Sequence, residues 1–555
     1  MQIIIIGGVA GGMSAATRLR RLDESASIIV LERSGHVSFA NCGLPYHVGG
    51  VIERRSALLL QTPASLGARF GLDVRVHTEA LQIDRERRVV LTRTLTTGEE
   101  SELSYDALIL SPGARPVRPP IPGIERALTL RDIEDTDAVI AAVASAQDGQ
   151  APGTEGEEPE PPSAVVIGGG FVGVEVAENL LHRGLRVALV EATPQVMAPL
   201  DPEMVAPVHR VMREAGIDLH LGTSVTDIGA REVTLSDGRS LPADVVVAAI
   251  GVRPDTALAA AAGLAIGERG GIRVDDELRT SDRSIFAVGD AVEKSDGLTG
   301  EATLVPLANT ANLQGRRVAD IIAGLPVADR PVLGTAIVGI LGLQVATTGW
   351  NEKRLRAAGR AFRAIHTHPA SHATYYPGAA TLSLKLLVDP DTDAILGAQG
   401  VGRDGVDKRI DVIATAMTGG LTASTLAELE LAYAPQFSSA KDPVNMLGHI
   451  ADNLARGVTR SIDWAEVAEA LDAGATLVDV RTPAEFAKGA IPGAVNVCLD
   501  ELRERLDEIP PGPVVVNCAV GLRGHVAARI LQQRGFEDVR NLSGGYLTWQ
   551  AGTAA

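Results

Sequence analysis

The 555-residue chain has three cysteines, Cys42, Cys498 and Cys518, and two of them stand where a thiol could do chemistry. Cys42 lies in "SFANCGLPYHVGG", Ser38 to Gly50, with no second cysteine near it. A thiol that attacks a disulfide is left in a mixed disulfide, which another thiol must resolve. Cys42 is therefore either a buried structural thiol or one whose partner comes from outside the chain. Cys518 ends the apolar run of "PVVVNCAVGLRGHVAARILQQRG", which reads as a buried strand, the six-residue loop "CAVGLR" and a helix. Amides of that loop would converge on the sulfur, the helix would add its positive pole, and Arg523 closes the loop. Such a loop stabilises a thiolate or a persulfide. Cys498, in "AVNVCLDEL", has no such setting and reads as a core residue.

The elements that must position Cys42 are two glycine-rich units. "QIIIIGGVAGGMSAATRLRRL" followed by "SIIVLE" is a strand, a turn, a helix and a strand ending on Glu32. Gly7 and Gly12 fit the first and third glycines of GxGxxG, with Val9 at the second. The pattern recurs in "AVVIGGGFVGVEVAENLLHRGLRVALVE", where Gly168, Gly170 and Gly173 have the full spacing and the strand again ends on an acid, Glu191. Such glycines let the backbone approach a pyrophosphate, which the amides at the helix start then meet. A glycine-rich turn without a ligand is the competing reading, and two units in one chain weigh against it. A carboxylate at Glu191 pairs with a free ribose hydroxyl and repels a 2′-phosphate, so it favours NADH over NADPH. Farther on, "TSDRSIFAVGDAVE" places Gly289 and Asp290 after an apolar strand, where the acid could accept from a flavin's polyol tail or be an ordinary turn acid.

Length alone argues for three or four domains. A hydrophobic content of 45% with 59 glycines fits a soluble, loop-rich α/β protein. The formal charge of -18 argues against a general nucleic-acid binder. No apolar run reaches membrane-spanning length, and the chain enters a strand at once without a basic leader, so a cytoplasmic protein is expected. The cysteines are too few and scattered for a disulfide framework or a zinc site, and no metal is expected. "SAQDGQAPGTEGEEPEPPS", with five acids, no base and many Pro and Gly, reads as an exposed loop.

Together with "LILSPGARP", these units resemble the flavin-dependent pyridine nucleotide-disulfide oxidoreductases from Met1 to about Gly448. The resemblance implies an FAD-binding domain over 1–145, the acidic loop at 146–162, an NAD(H)-binding domain over 163–275, an FAD return segment at 276–330 and an α+β dimerisation domain over 331–455. It implies FAD contacts at Gly7, Gly8, Ala10, Gly11, Gly12, Glu32, Arg33, Gly113, Gly289 and Asp290. Nicotinamide nucleotide contacts are implied at Gly168, Gly170, Phe171, Val172, Gly173, Glu191 and Gly251. Within that family, "SFANCGLPYHVGG" is similar to the active-site segment of coenzyme A disulfide reductases and their persulfide-reducing relatives, in which coenzyme A is the second thiol. That answers why one cysteine can suffice, provided its thiolate is stabilised by amides or positive charge. Ser38 and Asn41 match the segment. Ser14, Arg18 and Arg21 are implied substrate contacts, with Arg69 a weaker match; Arg18 and Arg21 lie three residues apart on one helix face, where a solvated basic face is the alternative. From "SHATYYPG" and "LAYAPQFSSAKDPVN" the resemblance carries over Tyr375 and Tyr433 as residues that cross a homodimer interface to the other subunit's cysteine, and Lys441 as a further substrate contact. A phenol there could protonate a leaving thiolate or simply pack.

Residues 459–555 resemble a rhodanese domain, from "DVR" at Asp479 to Arg481 through the Cys518 loop to "NLSGGYLTW". A phosphatase of related loop design would have His before the cysteine and five residues before the arginine; here Asn517 precedes Cys518 and four residues intervene. The expected fold is thus α/β, with two Rossmann-like domains, an α+β dimerisation domain and a C-terminal α/β rhodanese domain. The expected function is FAD-dependent, NADH-oxidising reduction of coenzyme A disulfide, coenzyme A persulfide or polysulfide, coupled to sulfur transfer at Cys518. The alternatives are an NADH oxidase or peroxidase working through a cysteine sulfenic acid, and a redox-sensing or sulfur-relay protein with slow flavin turnover.

Overall fold

The computed structural model describes residues 1–149, 160–328 and 330–554. It is a mixed α/β protein in two compact units, residues 1–194 with 216–334 and residues 195–215 with 335–555.

In the first unit, Ile3, Ile4 and Ile5 are fully buried, as both faces of a central parallel strand must be. The sheet is parallel throughout, in the order Ile285–Ala287, Ala107–Leu110, Gln2–Ile6, Ser27–Leu31, Asp73–Arg75. The order reverses at Gln2–Ile6, so the crevice where such sheets bind ligands opens just beyond Ile6, at the glycine turn. A second parallel sheet has the order Asp218–Leu221, Arg186–Glu191, Ser163–Ile167, Val245–Ala248 and repeats the arrangement beyond Ile167. The segment expected as a loop at 146–162 begins as helix: Asp132 caps Ile133–Asp148, and its alanine-rich end carries the helix to Asp148. The strand Ser163–Ile167 ends that stretch, and residues 150–159 lie outside the described residues.

The second unit holds a five-stranded antiparallel sheet, in the order Ala336–Ile340, Leu343–Gly349, Ile395–Gly402, Leu382–Val388, Arg363–Thr367. The helices Val406–Thr418 and Pro443–Ala455 share its core. A five-stranded parallel sheet follows, in the order Arg460–Ile462, Val539–Leu542, Val514–Asn517, Thr476–Asp479, Val495–Asn496. Residues 195–215, which fall inside the stretch read as the second nucleotide domain, belong to this unit instead. Charge explains it. The fully buried Lys385 ammonium lies 2.9 Å from Asp201 and 2.7 Å from Glu352, and also pairs with Glu203. The carboxylates hold the lysine well above its usual range despite burial. The ammonium fills the centre that these three acids would otherwise offer a cation. Among the described residues no helix is long and apolar enough to cross a membrane.

Candidate functional site

The two glycine turns are built alike. Gly7 and Gly168 have φ of +105° and +104°, and a Cβ on Gly12 or Gly173 would run into the carbonyl of Gly7 or Gly168. The helices Ala10–Leu22 and Phe171–His182 start without a side-chain cap, which leaves first-turn amides for a ligand. The acids at the strand ends brace these turns: Glu32 accepts from the amides of Gly8 (2.9 Å) and Ser34 (2.8 Å), and Glu191 from those of Gly169 (2.7 Å) and Thr193 (2.8 Å). Val9, at the second glycine position of the first turn, leaves the turn geometry intact. Beside that turn, Lys294 donates to the carbonyls of Gly289 and Val305, both at 2.8 Å, and burial pushes its ammonium down to about 8. Next to Gly289, burial raises the Asp290 carboxyl, and its Oδ1 is buried with no hydrogen-bond partner among the described residues. Arg33 is exposed and faces Glu79 at 3.8 Å, while Gly113 and Gly251 sit at positive φ with open space where a Cβ would go.

Cys42 is tied to the first turn. The Ser38 amide donates to the Gly8 carbonyl (2.8 Å), the Asn41 side chain donates to the Arg131 carbonyl (3.3 Å), and Cys42 follows in the short turn Asn41–Gly43. The residue is exposed. Its charged neighbours are the reverse of those expected: crowding by the surrounding protein, then the Glu175 and Asp290 carboxylates, push the thiol up rather than down. Glu175 is raised by burial and accepts from Tyr46 Oη at 2.8 Å. Neither residue was among the expected site residues, because Glu175 comes from the second glycine unit.

The expected anion contacts divide. Arg18 Nε is committed to Asp320 Oδ1 at 2.7 Å, and Ser14 Oγ donates to Asn312 on the same Ala308–Ile322 helix. Arg21 and Arg69 are exposed. The basic face read from the spacing is therefore split, since Arg18 turns to an internal acid and only Arg21 stays open.

In the second unit, Tyr375 and Tyr433 meet, with their hydroxyls 2.9 Å apart and the side chains 75% and 49% exposed. The buried Arg409 aligns their loops by donating to the Ser371 carbonyl (2.8 Å) and to Asp442 (3.0 Å), next to the exposed Lys441. Cys518 is fully buried, and the Gly521 amide points at its sulfur from 3.2 Å. Arg523 makes a two-pronged ion pair with Glu485, at 2.8 and 2.6 Å. The Cys518 carbonyl accepts from the Tyr546 amide (2.7 Å), and Ser543, just before, accepts from the His366 amide (3.0 Å) on the antiparallel sheet. Cys498 is buried, as expected.

Residues 1–315 match the pyridine nucleotide-disulphide oxidoreductase family, residues 335–443 its dimerisation domain and residues 463–552 the rhodanese-like domain. The chain belongs to the pyridine nucleotide-disulphide oxidoreductases. Coenzyme A disulfide reductase of Staphylococcus aureus is 34% identical over 453 residues, 81% of this chain and 99% of that protein. Among solved structures, reduced Bacillus anthracis CoADR-RHD is 45% identical with a TM-score of 0.95, covering 99% of this chain and 98% of that one. A NAD-dependent persulfide reductase from A. fulgidus is 38% identical with a TM-score of 0.90, covering 99% and 100%. The enzyme's fold and its C-terminal rhodanese domain are thus those expected from the sequence. The family implies FAD and NAD(P)H, and the chain fits both: each turn is a cradle that a Cβ would fill, and the orphaned Asp290 oxygen suits a flavin tail hydroxyl.

Proposed function

We propose that the protein is an FAD-dependent, NADH-oxidising reductase of coenzyme A disulfide, coenzyme A persulfide or polysulfide, which works through Cys42 and is fed by a sulfurtransferase centre at Cys518. The observation that carries the reading is a lone cysteine tethered to the first nucleotide turn, with the two other cysteines in the other compact unit. The names of the relatives agree with it.

The first glycine turn and Asp290 would hold FAD, which would supply two-electron transfer between NADH and the Cys42 sulfur. Glu191 sits where a ribose hydroxyl would be met and a 2′-phosphate repelled, which supports NADH. The Cys42 thiolate attacks one sulfur of coenzyme A disulfide; a Cys42–coenzyme A mixed disulfide forms and one coenzyme A thiolate leaves. Two electrons then split the mixed disulfide into the Cys42 thiolate and a second coenzyme A thiol. With coenzyme A persulfide, attack on the inner sulfur forms the same mixed disulfide and releases hydrosulfide. The Tyr375–Tyr433 pair, exposed on the dimerisation domain, protonates the leaving thiolate in a homodimer, where it faces the cysteine of the second copy. Ser14, Arg18, Arg21, Arg69 and Lys441 are substrate contacts, of which the exposed Arg21 and Arg69 are open to the coenzyme A phosphates while Ser14 and Arg18 are paired with Asn312 and Asp320, and Ser38 and Asn41 shape the Cys42 turn. Mass spectrometry of the intact protein tests this: a coenzyme A adduct on Cys42 that dithiothreitol removes is expected. A Cys42→Ser protein that still turns over coenzyme A disulfide would sink the reading.

A further inference from the structure

A sulfurtransferase loop that ends in arginine would ordinarily offer that guanidinium to the charged end of a donor. Here Arg523 is not open. Both prongs of its fork end on Glu485, and its other charged neighbour is the sulfur of Cys518. Glu485 is itself anchored: Oε2 accepts from the Thr482 amide (3.0 Å) and hydroxyl (2.9 Å) while both oxygens face Arg523. Arg523 and Thr482 hold its carboxyl down at about 2, so it stays ionised at any working pH. The rim carries apolar surface instead, with Leu522 of the loop 70% exposed and Val526, one turn on along Leu522–Gln533, 38% exposed.

Resting on the reading of Cys518 as a sulfurtransferase centre, the geometry points to Glu485 as the residue that selects the sulfur donor: it masks Arg523 against donors whose leaving group is an oxyanion, and leaves the site to organic persulfides whose leaving group is an alkyl thiol. Two transfers compete. With thiosulfate, the Cys518 thiolate attacks the outer sulfur, the S–S bond breaks, and sulfite leaves as a dianion with the electron pair, past a carboxylate. With an alkyl persulfide, the thiolate attacks the terminal sulfur, the S–S bond breaks, and the alkyl thiolate leaves with the electron pair, beside Leu522, and takes up the proton that the terminal sulfur carried. Both produce the Cys518 persulfide, but the first brings in and releases a dianion next to Glu485, whereas the second passes through no more than a singly charged thiolate that is then protonated. Selectivity then comes from repulsion of the wrong donor as much as from attraction of the right one.

The test measures sulfur transfer to cyanide in the full-length holoenzyme, with thiosulfate and 2-hydroxyethyl persulfide as donors and Cys518→Ser as the blank. The wild type should prefer the persulfide. Glu485→Gln should raise the ratio of kcat/KM for thiosulfate over persulfide by about tenfold, and Glu485→Gln/Arg523→Gln should lose the gain. Circular dichroism and thermal melting of each variant against the wild type report that the domain carrying Glu485 is folded. A measurement on the wild type needs no variant: added salt should raise kcat/KM for thiosulfate, by screening the repulsion, and move the persulfide much less. A thiosulfate rate that falls with salt overturns the proposal, as do an equal change for both donors in Glu485→Gln and the same shift in Thr482→Ala, which loosens the anchor and keeps the carboxylate. If the wild type transfers sulfur from neither donor, the sulfurtransferase reading fails first and takes the proposal with it.

Discussion

Cys42 and Cys518, the two cysteines that the proposed function uses, are held in opposite ways. Cys518 sits fully buried at the end of a core strand, with the Gly521 amide aimed at its sulfur and the Tyr546 amide, from the helix Gly545–Thr553, bonded to its carbonyl. The contact to its sulfur is local, an amide of its own loop. Cys42 is exposed in a short turn, and the acids around it oppose the thiolate. On the proposed reading its reactivity comes from groups that arrive, namely cofactor, substrate and, in a homodimer, the second copy of the chain. On the same reading the loop centre is preformed for storing a sulfur atom, whereas the turn centre is assembled when it works.

That contrast is broken most directly by exchanging one sulfur atom at each centre. Cys42→Ser should keep its FAD and lose reduction of coenzyme A disulfide by about a thousandfold or more. Cys518→Ser should retain that reduction and lose NADH consumption driven by a sulfane donor. Assaying both reactions in each variant, and in an equimolar mixture of the two, shows whether the centres are coupled. Donor-driven NADH consumption that survives in Cys518→Ser alone would mean that the rhodanese domain does not feed Cys42.

The difference between the centres also sets how far the sequence could be read. The Cys518 loop, both glycine turns and the two strand-end acids are local patterns, in which spacing along the chain dictates geometry. What escaped was assembled from distant segments. Arg18 finds Asp320 across 302 positions, Tyr46 finds Glu175 across 129, and Arg523 finds Glu485 across 38. Lys385 draws Asp201 and Glu203 out of the domain that their place in the chain suggested. In each case a polar or charged group took a partner far away in the chain, and no periodicity announces that choice.

Nucleotide choice comes next in size. Replacing Glu191 by Gln should cut the preference for NADH over NADPH by about tenfold, since the repulsion of a 2′-phosphate goes and part of the turn bracing stays. Specificity constants for the two nucleotides check it, and an unchanged ratio would show that the acid only braces the Gly169 turn.

A smaller effect is expected on the first helix. Arg21→Glu should raise KM for coenzyme A disulfide several-fold and leave small polysulfides unaffected, because only the former carries phosphates. Arg18→Glu should affect both substrates, since it also places an acid against Asp320. Equal behaviour of the two variants would mean that the helix face acts as one surface, against the split seen between a paired and an open arginine.

The smallest effect bears on the comparison itself. The Cys42 thiol is raised first by crowding and then by Glu175 and Asp290, so each carboxylate accounts for only part of the shift. Removing the charge of Glu175 removes one stabiliser of the neutral thiol, and the thiolate then forms at lower pH. Glu175→Gln should therefore move the pH midpoint of Cys42 alkylation by iodoacetamide downward in the cofactor-free protein. Gln can still accept from Tyr46, so the turn that carries Cys42 should keep its shape. The Cys518 rate, followed in the same samples by peptide mass spectrometry, should not move, because that sulfur answers to its own loop. A midpoint that stays fixed, or rises, would mean that Glu175 is protonated over the range where Cys42 titrates. In that event the opposition at Cys42 comes from crowding and Asp290 alone.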